Sequence, residues 1–357
     1  RRFKAVSRGR TGGCFRRAFL ALLLAAVAVG AWYWTRYQGF ADAPLVGIEA
    51  GDSLVVKRGD SLDKVLRTLQ TQGVDTGDRL HWQVLARQTG AAGKLQVGEY
   101  ALSPETTPNA LLQAMRDGKV VRRMFTIVEG WNIRDLRAAL AKVDGLEQQA
   151  NALDDAALMK ALGDPGQHPE GRFLPETYAW VKGDSDIDVL KRAHAAMQAA
   201  LDEAWASRAE GLPLKNADEA LVLASIVEKE TGIAEERPAI AGVFVRRLKI
   251  GMRLQTDPTV IYGMGAAYAG NIRRSDLTTD TPYNTYTRAG LTPTPIAMPG
   301  KAALRAATRP ADGDALYFVA VGDGSGRHVF SASLDAHNAA VRDYLQRYRA
   351  QREAAPK

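Results

Sequence analysis

Residues 216–232 read NADEALVLASIVEKETG: a run of apolar side chains that closes on Glu228, Lys229 and Glu230. Asn216 has the type of a helix N-cap, Glu219 stands at capping-box spacing, and Gly232 supplies a stop. Between them Leu221, Val222, Leu223, Ala224, Ile226 and Val227 occupy nearly the whole circumference of a helix, so the helix is expected to be buried. A buried helix should not end in Glu-Lys-Glu unless that end meets solvent or a site. Glu228 and Glu230 are two residues apart and point to different faces, so they cannot work as a carboxylate pair. Glu230 shares its face with Leu223, Ile226 and Val227. Apolar neighbours and the negative end of the helix dipole both disfavour its ionised form. A carboxylic acid kept protonated near neutral pH is what protonating a glycosidic oxygen needs. Glu228 lies nearer Leu221 and Ala224 and would support the site from behind. The reading left open beside this one is a pair of exposed acids on a fraying helix end, with Lys229 as counter-charge.

Two other stretches carry polar groups dense enough for recognition. In LQTDPTVIYG (254–263), Gln255, Asp257 and Thr259 offer hydrogen-bonding groups, and Pro258 fixes a turn or opens a helix that Asp257 would cap. Tyr262 is either a sugar-stacking ring or a core ring. In PYNTYT (282–287), Asn284, Thr285 and Tyr286 make a polar-aromatic loop suited to N-acetyl and hydroxyl groups, or simply a turn. Arg246, Arg247 and Arg253 would meet a carboxylate of the substrate or else be solvated. His328 and His337 have no nucleophile pattern near them and read as structural. Within EGRFLPETYAW (170–180), Phe173, Tyr178 and Trp180 read as packing residues, and Glu170 and Glu176 as solvated acids.

These residues need a scaffold of substantial size. The chain has 357 residues, 46% of them hydrophobic, enough for roughly two domains. Its net charge of +7 is held entirely by residues 1–17, which contain seven basic side chains and no acid; the remainder is balanced at 40 of each sign. The basicity therefore belongs to an arm and not to a nucleic-acid-binding face. Residues 18–34, AFLALLLAAVAVGAWYW, are 17 uncharged residues, about 26 Å of helix and just enough to cross a bilayer. Trp32, Tyr33, Trp34 and Tyr37 form an aromatic belt at the far end. A basic arm before an apolar helix predicts a cytoplasmic N terminus and an anchor rather than a cleaved signal. One cysteine, Cys14, excludes an internal disulfide framework and a Cys-rich zinc module.

Past the anchor, short strands near 54–56, 100–102 and 120–128 alternate with helices near 62–69, 78–88, 108–116 and 131–143, and residues 144–215 are mostly helical. The expected class is α+β: a single N-terminal transmembrane helix, a small α+β module and a mainly helical larger domain with short strands. VKRGDSLDKVL (56–66) resembles the opening of a LysM module, a peptidoglycan-binding fold; a plain strand, turn and helix would read the same way.

ASIVEKET (224–231), RRLKIGMRLQTDPTVIYGMG (246–265) and TPYNTYTRAGLTPTPIAMPG (281–300), with HVFSASLDAHNAAVRDYL (328–345), closely resemble the YceG-like family of endolytic murein transglycosylases. The resemblance spans roughly residues 50–348. It implies a basic arm at 1–17, a membrane helix at 18–35, a linker at 36–50, a LysM-like module at 51–128, a catalytic domain at 129–348 and a tail at 349–357. It also implies cleavage of the β-1,4 bond between N-acetylmuramic acid and N-acetylglucosamine inside nascent glycan strands, leaving 1,6-anhydro ends. The implied catalytic acid is Glu230, because Glu230-Thr231 looks like the Glu-Ser pair that other lytic transglycosylases place at a helix end. Glu228, Gln255, Asp257, Thr259, Tyr262, Asn284, Thr285 and Tyr286 are the implied substrate-binding residues. No metal or organic cofactor is needed. The implied partners are peptidoglycan strands, the inner membrane and peptidoglycan synthases, with the catalytic domain in the periplasm. A membrane-anchored wall-binding scaffold without activity is the alternative.

Overall fold

The computed structural model describes residues 12–354; residues 1–11 of the basic arm and 355–357 of the tail lie outside them. In chain order the elements are α1 (Gly12–Asp42), β1 (Ser53–Val56), α2 (Leu62–Thr71), α3 (Arg79–Gln88), β2 (Gly98–Ala101), α4 (Pro108–Asp117), β3 (Arg123–Thr126), α5 (Ile133–Leu140), α6 (Asp155–Leu162), β4 (Thr177–Trp180), α7 (Asp186–Ala206), α8 (Ala217–Glu230), α9 (Arg237–Lys249), α10 (Asp257–Met264), α11 (Arg274–Thr278), α12 (Lys301–Thr308), β5 (Tyr317–Ala320), β6 (His328–Ser331) and α13 (Leu334–Ala354). The strands form three separate antiparallel pairs, β1 with β2, β3 with β4 and β5 with β6. The fold is mixed helix and sheet, as expected. The chain divides into two units, residues 1–122 with 181–183, and residues 123–180 with 184–357.

In the first unit α1 is one helix of 31 residues, and its stretch from Arg16 to Asp42 is long and apolar enough to cross a membrane. The stretch expected to be a linker, 36–50, is structured instead. Residues 36–42 continue the helix, and Tyr37, Ala41, Leu45 and Ile48 are buried in the same core as Leu54, Leu69, Trp82 and Tyr100. Tyr37, Phe40 and Ala41 fall at i, i+3 and i+4, so the polar-looking segment carries an apolar stripe. Phe40 meets Trp82 edge-on at 5.5 Å, and the Tyr37 hydroxyl bonds Gln88. Ser61 caps α2, and Pro108 opens α4 behind the Thr107 cap.

In the second unit α8 is the central helix. Its residues from Ala220 to Glu228 are all buried, and it packs against α7, α9, α10 and α12. Asn216 caps it by accepting from the Glu219 amide, but the Glu219 carboxylate turns to the Lys215 amide, so no reciprocal box forms. The helix stops at Glu230 because Thr231 is extended; Gly232 does not adopt the left-handed stop. Phe173 and Trp180 are buried beside α7, and Tyr178 packs against them half-buried. The β5–β6 hairpin and α13 complete the unit.

Candidate active site

The last turn of α8 brings Glu230 to the floor of an open cleft of about 530 Å³. One side is the Gln255–Asp257 entry into α10 with Tyr286. The other is Tyr317–Val319 of β5 with Leu334, His337, Asn338 and Val341 of α13. Burial pushes the Glu230 carboxyl up to about 7, and nearby Asp257 adds to the rise. Thr256, His328 and Arg247 pull the other way without cancelling it. The Thr256 hydroxyl donates to Glu230 Oε1.

Hydrogen bonds from the 281–287 loop fix that Thr256. The amides of Gln255 and Thr256 donate to the Thr285 carbonyl (3.2 Å) and Thr285 Oγ1 (3.1 Å). Thr285 Oγ1 also meets Thr259 Oγ1 at 2.9 Å. Gln255 is held at φ +49°, the one non-glycine residue in that region among those described. Such a conformation persists only where the surroundings impose it. Asn284 shapes the loop from within, donating to the carbonyls of Asp276, Leu277 and Thr279 and accepting from the Tyr286 amide. Tyr286 Oη then reaches the Asp257 carboxylate at 2.6 Å.

The model of the YceG-like family matches residues 54–343. This chain belongs to that family. An endolytic murein transglycosylase of Bacillus subtilis (strain 168) is 30% identical over 307 residues, 81% of this chain and 84% of that protein. An endolytic murein transglycosylase of Streptococcus pneumoniae serotype 2 is 27% identical over 85% of this chain, which spans 59% of that longer relative. A crystal structure of a YceG-like protein from Listeria monocytogenes, 26% identical, covers 82% of this chain and 99% of its own, with a TM-score of 0.48.

The residues singled out in this YceG-like sequence fall into two groups. Glu230, Gln255, Asp257 and Tyr286 line the cleft together. Glu228, Thr259, Tyr262, Asn284 and Thr285 do not line it. Glu228 is buried behind the helix end, accepting from Arg237 Nη2 (3.0 Å) and the Gly300 amide (2.8 Å). Asn284 and Thr285 are buried within the loop just described, and Thr259 is buried against it in α10. Tyr262 turns its hydroxyl to Glu170 (3.0 Å) and meets Tyr283 edge-on at 4.9 Å.

Several expectations need correction. Glu170 is not solvated: it is 0% exposed and takes the Ile133 amide on both carboxylate oxygens (3.2 and 3.1 Å). Burial pushes it up to about 7 as well. Glu176 is solvated and pairs with Lys301. Arg247 lines the cleft but is largely buried, donating to the carbonyls of Leu316 and Leu254, and Arg246 reaches those of Ala315 and Ala311. His328 is held by Glu236, whereas His337 lines the cleft, stacked on Tyr317 at 5.1 Å.

The sequence reading missed Thr256, Tyr317 and Asn338. Thr256 lies inside a motif already noted. The hairpin that carries Tyr317 announces itself as two apolar runs around GDGSG (322–326). Among the described residues no cluster of His, Cys, Asp and Glu has the makings of a metal site.

Proposed function

We propose that this chain is an endolytic peptidoglycan lytic transglycosylase. It cleaves the β-1,4 bond between N-acetylmuramic acid and N-acetylglucosamine within nascent glycan strands and leaves 1,6-anhydro ends. The observation that carries the reading is Glu230: a carboxyl held near 7 at the floor of an open cleft, with a hydroxyl donor fixed against it. The names of the relatives support the substrate.

The chemistry needs one group. Protonated Glu230 gives its proton to the bridging oxygen as the bond to the muramic C1 breaks. The carboxylate then takes the proton of the muramic C6 hydroxyl as that oxygen bonds C1. No water is consumed and the acid is regenerated. A group titrating near 7 serves in both directions. Gln255, Asp257 and Tyr286 bind the sugars, with Asp257 held by Tyr286. Glu228, Thr259, Tyr262, Asn284 and Thr285 support those positions. The helix α1 anchors the chain in the inner membrane with its N terminus cytoplasmic and the larger unit periplasmic. Residues 51–128 are the LysM-like module, supported by segment 56–66, which forms the end of β1, a turn, the Ser61 cap and the start of α2. Placed there, the enzyme acts beside peptidoglycan synthases and ends strand growth.

Asp257 gives a second reading its footing, because a second carboxylate in the cleft could serve a hydrolase. Mass spectrometry of products from uncrosslinked glycan strands, comparing the parent with Glu230→Gln and Asp257→Asn, separates the two. Internal fragments with 1,6-anhydro ends are expected, lost in Glu230→Gln by a factor of about 10²–10⁴ and surviving in Asp257→Asn. Reducing ends that vanish with Asp257→Asn would instead mean a two-carboxylate hydrolase. Glycan bound but never cut would leave a wall-binding scaffold.

A further inference from the structure

Glu170 is a fully buried acid with no part in the chemistry above, and its partners come from two separate helices. It accepts the Ile133 amide at the start of α5 and the Tyr262 hydroxyl in the middle of α10. Its neighbour Gly171, at φ +77°, lies so close to Pro295 that a Cβ there would stand 2.6 Å from the proline ring. The segment is therefore clamped from behind. The charged and titratable groups around Glu170 are Arg134 from α5, whose guanidinium lies 5.4 Å over the Tyr262 ring, Tyr262 itself and His168 on its own segment.

The helix α10 is thus held by carboxyls at two points. Glu230 holds its N-cap residue Thr256, and Glu170 holds Tyr262. Tyr262 also packs on Tyr283, next to Asn284 in the loop that fixes Gln255 and Thr256. α10 is short, eight residues, which puts Tyr262 within two turns of Thr256.

We propose that Glu170, acting through Tyr262 and α10, is a positioning residue that sets the Thr256 hydroxyl against Glu230. This rests on Glu230 being the acid of the cleft. The consequence is that a change at Tyr262 alters the titration of Glu230, although Tyr262 does not line the cleft.

The test uses the full chain in detergent micelles, as the parent, Tyr262→Phe, Thr256→Val and the double variant, with Glu170→Ala alongside. Tyr262→Phe keeps the packed ring and removes only the hydroxyl, so it decides the question even if Glu170→Ala does not fold. In Tyr262→Phe, kcat should fall about tenfold while KM stays within about twofold. The double variant should be no worse than Thr256→Val alone, the signature of a shared pathway. Carboxyl NMR of 13C-glutamate-labelled protein, with the Glu230 signal assigned by its loss in Glu230→Gln, should show the midpoint moved by about half a pH unit or more in Tyr262→Phe. Additive losses in the double variant with an unmoved Glu230 midpoint would overturn the proposal and leave Glu170 as a buried support. The NMR arm needs no substrate. A parent protein that forms no 1,6-anhydro ends therefore defeats the functional reading while the coupling is still decided.

Discussion

In the mechanism proposed above Glu230 has to be protonated to start a cleavage, and its position near 7 fixes the direction of the pH dependence. Activity should fall as pH rises through about 7, read as kcat against pH. Donation from Thr256 favours the ionised carboxylate. Thr256→Val should therefore raise the Glu230 midpoint and carry the descending limb to higher pH, even as the rate drops. A second consequence concerns stability. Glu170 is raised from its ordinary 4.5 to about 7, and Glu230 likewise. The folded state thus holds protons that the unfolded chain has released, so the contribution of these two carboxyls to stability is fully present below about 4.5 and is lost as pH rises through about 7. For Glu170 alone the span corresponds to roughly 3 kcal/mol. Denaturant melts at pH 5 and pH 8 should show that loss, and Glu170→Gln should shrink it.

At the scale of elements, the end of α8 is fixed by what lies behind it. Glu228, Arg237 and the Gly300 amide form a buried knot that ties α8 to α9 and to the start of α12, with Glu129 Oε2 3.5 Å from the same guanidinium. Glu228→Ala would leave Arg237, only 8% exposed, with just the 3.5 Å contact to Glu129, and the buried Gly300 amide without its acceptor. The expected cost is about 3–5 kcal/mol, a drop in melting temperature on the order of 10 °C. Most of these elements were legible in the sequence. The α8 periodicity, the Asn216 end and the apolar circumference are local properties, and local rules find them. The site was legible only where chemistry and sequence neighbourhood coincide: Glu230 stands out because its flank is apolar within one helix. Glu170 does not, since its burial comes from Ile133 and Tyr262, 37 and 92 residues away. For the same reason Asn284, Thr285 and Thr259 looked like sugar-binding groups. Their polar atoms are used internally, on partners brought in by the turn.

At the scale of the whole molecule, the end of α1 and the rest of the first unit share a core. Tyr37 is 2% exposed and Ala41 5%, both within helix α1. A shortened protein beginning at residue 44 should therefore melt its first unit at a lower temperature than one beginning at residue 30, and limited proteolysis should cut that unit sooner. Deleting a buried aromatic alone costs about 3–5 kcal/mol. Equal melting and equal protease resistance would show that the Tyr37 and Ala41 contacts add nothing.

The same continuity has a mechanical side. A helix that enters a folded unit without a joint cannot swivel beneath it. Bilayers of different thickness are met by helix tilt. With α1 spanning the bilayer as proposed, a tilt of the helix is passed to the first unit through the buried Tyr37 and Ala41. Under that placement, membrane thickness becomes a setting of the angle at which that unit faces its surroundings.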